Sequence, residues 1–385
     1  MALETVLIDI ALLLVAAKVL GELCERIGYS SIIGEVLAGI LLGPSLLNVI
    51  TPNETMSALA GIGILLLMFI IGLSAKFEEA MENNMYRGAL IAILGGSLSF
   101  ALAFVAGIGL GYSILVAVTV GAAITSTAMG ISLRTITEIG KFYDKTTKTL
   151  IAANVADDIF SIIVMSLFVG FVTYSTINFL ESWKIFLIVI GFFIVLLKFG
   201  GKIAEKIMDF TVSMKDQESM IAIPVVIMFL IALLSQQINI AGITGAFLAG
   251  IILAKTKYAE NTIMPKAKTL GYGFLIPLFF AYTGVNVNIF SIGPDLLFLV
   301  VIFVVAIVGK LVGTYVGSRM GGYEHNDSLK LGFGMIPRAE YTLAIGQLAL
   351  GLGAIGANIF TLLVVFVLGT TIATPVILRF VYEHF

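Results

Sequence analysis

Long apolar runs, each close to the length of a bilayer crossing, alternate with short polar connections along the whole chain. A helix of about 20 apolar residues matches the hydrocarbon thickness of a membrane. Such runs fall near residues 5–24, 31–50, 57–75, 87–111, 114–134, 149–173, 183–204, 219–237, 240–254, 269–287, 292–318, 329–351 and 357–379. The pattern predicts an all-α integral membrane protein with about thirteen transmembrane helices. The basic residues orient it. Of the 22 Lys and Arg, 18 lie in connections that follow odd-numbered runs, and those following even-numbered runs hold only Lys184. Positive charge collects on the cytoplasmic side, so the N-terminus is expected outside and the C-terminus in the cytoplasm of a multi-pass plasma-membrane protein. Trp183, at the start of the seventh run, reads as an interfacial anchor.

The chain also resembles itself. Gly34-Glu-Val-Leu-Ala-Gly-Ile-Leu-Leu42 reads against Gly245-Ala-Phe-Leu-Ala-Gly-Ile-Ile-Leu253, 211 positions on. Gly61-Ile-Gly63 with Phe69 meets Gly271-Tyr-Gly273 with Phe279 at nearly the same offset. "GAAITSTAMG" from Gly121 meets "GFGMIPRAEY" from Gly332, again at 211. The offset carries each run seven helices on, an odd number, so the two halves take opposite orientations in the membrane. Inverted repeats of this kind build secondary transporters. The seventh run is left over as a linker.

Composition closes off other classes. Only 12% of the 385 residues are charged, 59% are hydrophobic, and mean hydropathy is +1.09. A soluble enzyme of this size would carry about a quarter charged residues. A net charge of -2 points to no nucleic acid. Cys24 is the single cysteine, and His325 and His384 lie in polar settings, so neither a thiolate nor an imidazole metal site is expected. No cofactor is called for. The start, MALETVLIDI, carries Glu4 and Asp9 without a basic leader and reads as a retained first span.

Against that background the charges inside the runs stand out: Lys18, Glu35, Asp157, Asp158, Lys310, Arg338 and Glu340. A central charge costs roughly 2.5–3.5 kcal/mol to insert, so such a set persists only if paired or facing a water-filled cavity. Asp157 lies nine residues past Lys148, about 13 Å into the membrane, and Lys310 lies nine before Arg319. Arg338 and Glu340 fall in the same layer. The fifth and twelfth runs look interrupted there, one by Thr125-Ser126-Thr127 before Gly130, the other by Pro337 beside Arg338. Broken helices facing each other at the midplane bind ions through freed carbonyls and half-helix ends. Asp157 and Asp158 point about 100° apart on a helix, so one can face a fixed cation and the other a cavity. Asn154 and Ser161, one turn away on either side, extend the polar patch. Arg338 reads as an offset to a negative half-helix end, Glu340 as structural, and Glu35 with Lys18 as structural or gating charges.

The stretches "GYSSIIGEVLAGILLGPSLL" (28–47), "GIGILLLMFIIGLSAKFEEA" (61–80), "TSTAMGISLRTITEIG" (125–140), "NVADDIFSIIV" (154–164), "GYGFLIPLFFAYTGVNVN" (271–288) and "MIPRAEYTLAI" (335–345) resemble the NapA and KefC branch of monovalent cation:proton antiporters. The resemblance implies the NhaA-like fold, two crossed and partly unwound helices, and a homodimer. It implies a scaffold of residues 1–86 and 219–289, an ion-translocating core of 87–175 and 290–385, and a linker helix over 176–218. Asp158 resembles the carboxylate shared by cation and proton, and so the Na+ ligand. Asp157 resembles the residue paired with Lys310, and Thr125, Ser126 and Thr127 the unwound cation-binding stretch. Arg338-Ala339-Glu340 stands where many relatives read Arg-Gly-Glu. The expected activity is exchange of Na+ or Li+ for protons. K+/H+ exchange on the same scaffold, a cation channel, and a bile-acid-type sodium symporter remain as rivals.

Overall fold

The computed structural model of the chain describes residues 3–74, 85–141, 144–174, 191–192, 194–216, 218–237, 242–291 and 293–384. Every regular element among these residues is helical. First come α1 (Leu3–Arg26), α2 (Ser31–Leu42) and α3 (Glu54–Ser74). Next are α4 (Met85–Gly109), α5 (Ile114–Ala123), α6 (Met129–Glu138) and α7 (Lys145–Tyr174). A single π-helical turn at Leu196–Gly200 leads into α8 (Gly201–Val212), followed by α9 (Ser219–Gln237), α10 (Gly242–Ala254), α11 (Met264–Leu270) and α12 (Ile276–Val285). The last four are α13 (Leu296–Met320), α14 (His325–Gly334), α15 (Glu340–Gly351) and α16 (Ala357–His384). Trp183, Lys184 and most of the linker run lie outside the described residues.

Six described helices, α3, α4, α7, α9, α13 and α16, are long and apolar enough to cross a membrane. Others are apolar but short. The 10 residues of α5 rise about 15 Å, half of a hydrocarbon core. The second run, expected over 31–50, is helical only to Leu42. There Gly43 leaves the helix in an extended conformation, and Ser45 Oγ donates to Val287 O at 2.5 Å. The spacing of the sequence match returns in the element bounds: α4 and α13 are 211 positions apart at both ends, and so are α5 and α14.

The chain divides into two compact units. The first comprises Met1–Leu14, Pro52–Lys76 and Met165–Tyr282. Inside it α3 and α10 cross with almost no space: a Cβ on Gly72 would stand 2.1 Å from Phe247 O. Gly245 of α10 likewise brings a Cβ position within 2.6 Å of Ile231 O on α9. The second unit comprises Val15–Thr51, Phe77–Val164 and Thr283–Phe385. Gly34 of α2 meets α1 as Gly245 meets α9, with its Cβ position 2.2 Å from Leu20 O.

A seam of repeated close approaches in this second unit joins α4 to α13. Gly309, Gly313 and Gly317 recur every fourth residue on one face of α13. A Cβ would lie 2.8 Å from Ser99 Cα at Gly309, 2.4 Å from Leu94 O at Gly313 and 2.8 Å from Leu90 O at Gly317. Lipid supplies no hydrophobic force between helices, so small residues that admit close backbone approach carry the packing. Gly95 on α4 completes the seam: a Cβ there would stand 3.3 Å from Lys310 Cδ. The seam thereby leaves room for the stem of a buried lysine. Gly313→Ala is expected to destabilise the protein by about 1–3 kcal/mol through overpacking, read as a lower melting temperature in detergent. Gly109→Ala, where nothing lies within 4 Å of the Cβ position, should leave it unchanged.

Candidate functional site

Both expected interruptions are present, between Ala123 and Met129 and between Gly334 and Glu340. Each has a local cause. The hydroxyls of Thr125, Ser126 and Thr127 compete for backbone groups. Pro337 lacks an N–H and disfavours helical geometry at Ile336. The two breaks satisfy one another. Ala128 N–H donates to Pro337 O at 2.8 Å, and Thr127 Oγ1 to Met335 O at 3.1 Å. Ser132 Oγ donates to Gly334 O at 2.6 Å, and Thr342 Oγ1 to Ala123 O at 2.7 Å. Carbonyls stranded by the breaks thus find protein donors where no bulk water is at hand.

Arg338 binds the two breaks electrostatically. It is buried, with Nε donating to Ile124 O at 2.9 Å and Nη1 to Met335 O at 2.8 Å and Ile336 O at 2.9 Å. These carbonyls close α5 and α14, whose C-terminal ends each carry about half a negative charge. One guanidinium offsets both.

Lys310 ties in a third element. Its ammonium is wholly buried and donates at 2.6 Å to Asp157 Oδ1 and at 2.6 Å to Thr125 O. Helices α7 and α13 and the first break are thereby held at one point. Asp157 is also fully buried, and its Oδ2 has no partner. Asp158, the next residue, is half-buried and makes no hydrogen bond or ion pair with any described residue. Asp157, Glu340 and Lys310 stand near enough to act on it electrostatically.

Around this centre the remaining expected residues divide. Thr125 Oγ1 donates to Ala122 O at 2.8 Å, and Ser126 is buried in the same break. Asn154 donates to Leu150 O at 2.9 Å, leaving its own Oδ1 without a partner, as is the buried hydroxyl of Ser161. One face of α7 therefore carries three unsatisfied oxygens within two turns. Glu340 opens α15 and lines a cavity of about 210 Å3. Glu35 belongs to a different neighbourhood, buried on α2 within the field of Lys18 and Glu25. Tyr341 was not anticipated. Its hydroxyl is buried without a partner and feels the charges of Asp158, Glu340 and Asp157. Only its position next to Glu340 could have pointed to it.

Removing one member of a buried ion pair strands the other, at a cost of about 3–5 kcal/mol, whereas removing both is far milder. Lys310→Met and Asp157→Asn should each lower the melting temperature in detergent, and the double variant should recover most of the loss. Additive losses would mean that the two residues are not energetically coupled.

Residues 10–384 match the family model described as sodium/hydrogen exchanger, transmembrane. The Na+/H+-K+ antiporter GerN of Bacillus cereus is 32% identical over 375 residues, covering 97% of this chain and 95% of GerN. The Na+/H+ antiporter of Enterococcus hirae is 28% identical over 371 residues, 96% of each chain. The fold is similar to that of the sodium proton antiporter MjNhaP1 from Methanocaldococcus jannaschii at pH 8, with a TM-score of 0.68 at 14% identity over 97% of this chain and 96% of that one. With a family match running over nearly its whole length, the chain belongs to the sodium/hydrogen exchangers, multi-pass membrane antiporters of monovalent cations and protons.

Proposed function

We propose that this protein exchanges Na+ or Li+ for protons by alternating access, with Asp158 as the carboxylate that a cation or a proton occupies in turn. One observation carries the reading: Asp157 is held by Lys310, while Asp158 beside it makes no hydrogen bond or ion pair with any described residue. The charges favour it too. Lys310 neutralises Asp157 and Arg338 is spent on two half-helix ends, which leaves Asp158 to a mobile positive charge. A proton and a cation then compete for one site, and that competition couples their movements.

Ligands for a dehydrated alkali ion are oxygens, and the crossing supplies them. Thr125 and Thr127 give their hydroxyl protons to carbonyls, which leaves oxygen lone pairs for a cation. Release of Asp157 by Lys310 on protonation would add a second proton per cycle and make exchange electrogenic.

The wider expectations rest on the same footing. Helix bounds that recur at one spacing, and the paired approaches of Gly34 to Leu20 and Gly245 to Ile231, support two inverted repeats among about thirteen spans. Residues 87–175 and 290–385, which carry the crossing, act as the moving core, the scaffold of residues 1–86 and 219–289 forms a homodimer in the plasma membrane, and 176–218 serve as the linker. The N-terminus lies outside and the C-terminus inside.

A second reading, K+/H+ exchange, is favoured by one observation: GerN is by name an Na+/H+-K+ antiporter. Liposomes carrying an inward-acidic pH gradient and a pH dye separate the two. Collapse of the gradient on Na+ or Li+, lost in Asp158→Asn, is the expected result. Collapse on K+ alone would favour the second reading, and no collapse with any of the three ions from pH 6 to 9 would overturn both. A channel would keep conducting in Asp158→Asn, with altered selectivity.

A further inference from the structure

The cavity beside the crossing has a composition that suits a specific traffic. Its lining includes Gly28 and Ser30 from the turn between α1 and α2, Ile32 of α2, Thr135 of α6, Glu340 of α15 and Thr371 of α16. All of these belong to the second compact unit. A turn between two apolar helices lies at a membrane surface, whereas Glu340 adjoins a mid-membrane break. The cavity therefore connects one face of the protein to the crossing. Arg26, just before that turn, assigns the face to the cytoplasm.

Among the described lining residues Glu340 alone is ionisable, and it forms no ion pair with any described residue. The two threonine hydroxyls of the lining have spent their protons: Thr135 Oγ1 donates to Ile131 O at 3.0 Å, and Thr371 Oγ1 to Arg338 O at 3.0 Å. What they still offer is oxygen lone pairs. A carboxylate among acceptor oxygens attracts cations and repels anions. At about 210 Å3 the space exceeds many times over what one water needs, so an ion can keep part of its hydration there. Glu340 also lies within the field of Asp158. A cation between the two relieves the repulsion of both.

We propose that Glu340 is a way-station for the monovalent cation, holding it partly hydrated in this cytoplasm-facing cavity before it passes to Asp158. The inference rests on the antiport reading above and adds to it a second carboxylate, a direction of access and the side to which this conformation opens. The plainer role for Glu340 is to complement the α15 dipole from its first turn. That role affects stability and predicts no charge selection in the cavity.

The test uses the full chain with Cys24→Ser, which removes the only cysteine, and Ile32→Cys, which places a thiol in the lining. Membrane-impermeant methanethiosulfonates bearing a trimethylammonium or a sulfonate group are applied to vesicles of either orientation. Labelling is expected from the cytoplasmic face only. The cationic reagent should react faster than the anionic one, and Glu340→Gln should reduce that ratio roughly three- to tenfold, as loss of one nearby charge in a watery cavity would. Should that variant not fold, Na+ substituted for choline must still slow the cationic reagent and leave the anionic one alone. In liposomes Glu340→Gln should raise the apparent KM for Na+ roughly tenfold with much less effect on maximal rate, and Glu340→Asp should restore it. An unchanged ratio, labelling from the outer face, or absence of Na+ protection would overturn the proposal. Failure of the unmodified protein to exchange any cation would instead count against the antiport reading, while the labelling ratio still decides for or against Glu340.

Discussion

A helix broken inside a bilayer strands carbonyl groups that neither lipid nor bulk water can satisfy, and much of this protein is arranged around that constraint. Two breaks are set against each other, so that side chains from both sides and the Ala128 amide from the first serve the other's carbonyls. Arg338 completes the arrangement by spanning the C-terminal ends of both first half-helices. Neither break is tenable alone. Each is the other's solvent, which couples the fifth and twelfth sequence runs more strictly than apolar packing would.

The glycine seam between α4 and α13 serves the same end. It brings two backbones close enough for Lys310 to sit beside Gly95 and reach Asp157 and Thr125 O together. A buried ammonium with two short contacts holds the first break and α7 at fixed separation. Tight packing and electrostatics are one device here: the glycines decide where the lysine stem lies, and the lysine decides which aspartate is satisfied.

Much of this was legible in the sequence, and the limits have physical causes. Runs of apolar residues announce membrane helices because lipid tolerates little else, and charges within them stand out because they are costly. Pro337 marks its break by chemistry no helix interior absorbs. The Thr125–Thr127 break is fainter, since hydroxyl residues also occur in intact helices, and its spacing from Pro337 made it readable. The end of α2 at Leu42 was missed because apolar residues continue to Ile50 after the backbone has turned. Tyr341 was missed because a tyrosine in an apolar run looks like packing until its hydroxyl is found without a partner. The role of Gly309, Gly313 and Gly317 was also hidden, because glycine is common in this chain and only a facing backbone distinguishes a seam from ordinary flexibility.

The same economy bears on why the crossing would exchange ions instead of merely holding them. Among the described residues, Asp157, Asp158 and Glu340 share one region with Lys310 and Arg338, three carboxylates against two fixed cations. Arg338 is already balanced by the half-helix ends, so the fixed charges cannot neutralise every carboxylate at once. In a low-dielectric setting an uncompensated charge is expensive. Under the proposed reading a proton or an alkali cation must therefore be present whenever the site is sealed from water, and an empty, ionised site cannot readily cross between states. That penalty on the empty carrier turns competition for Asp158 into obligatory exchange. It requires no sensor beyond the imbalance itself.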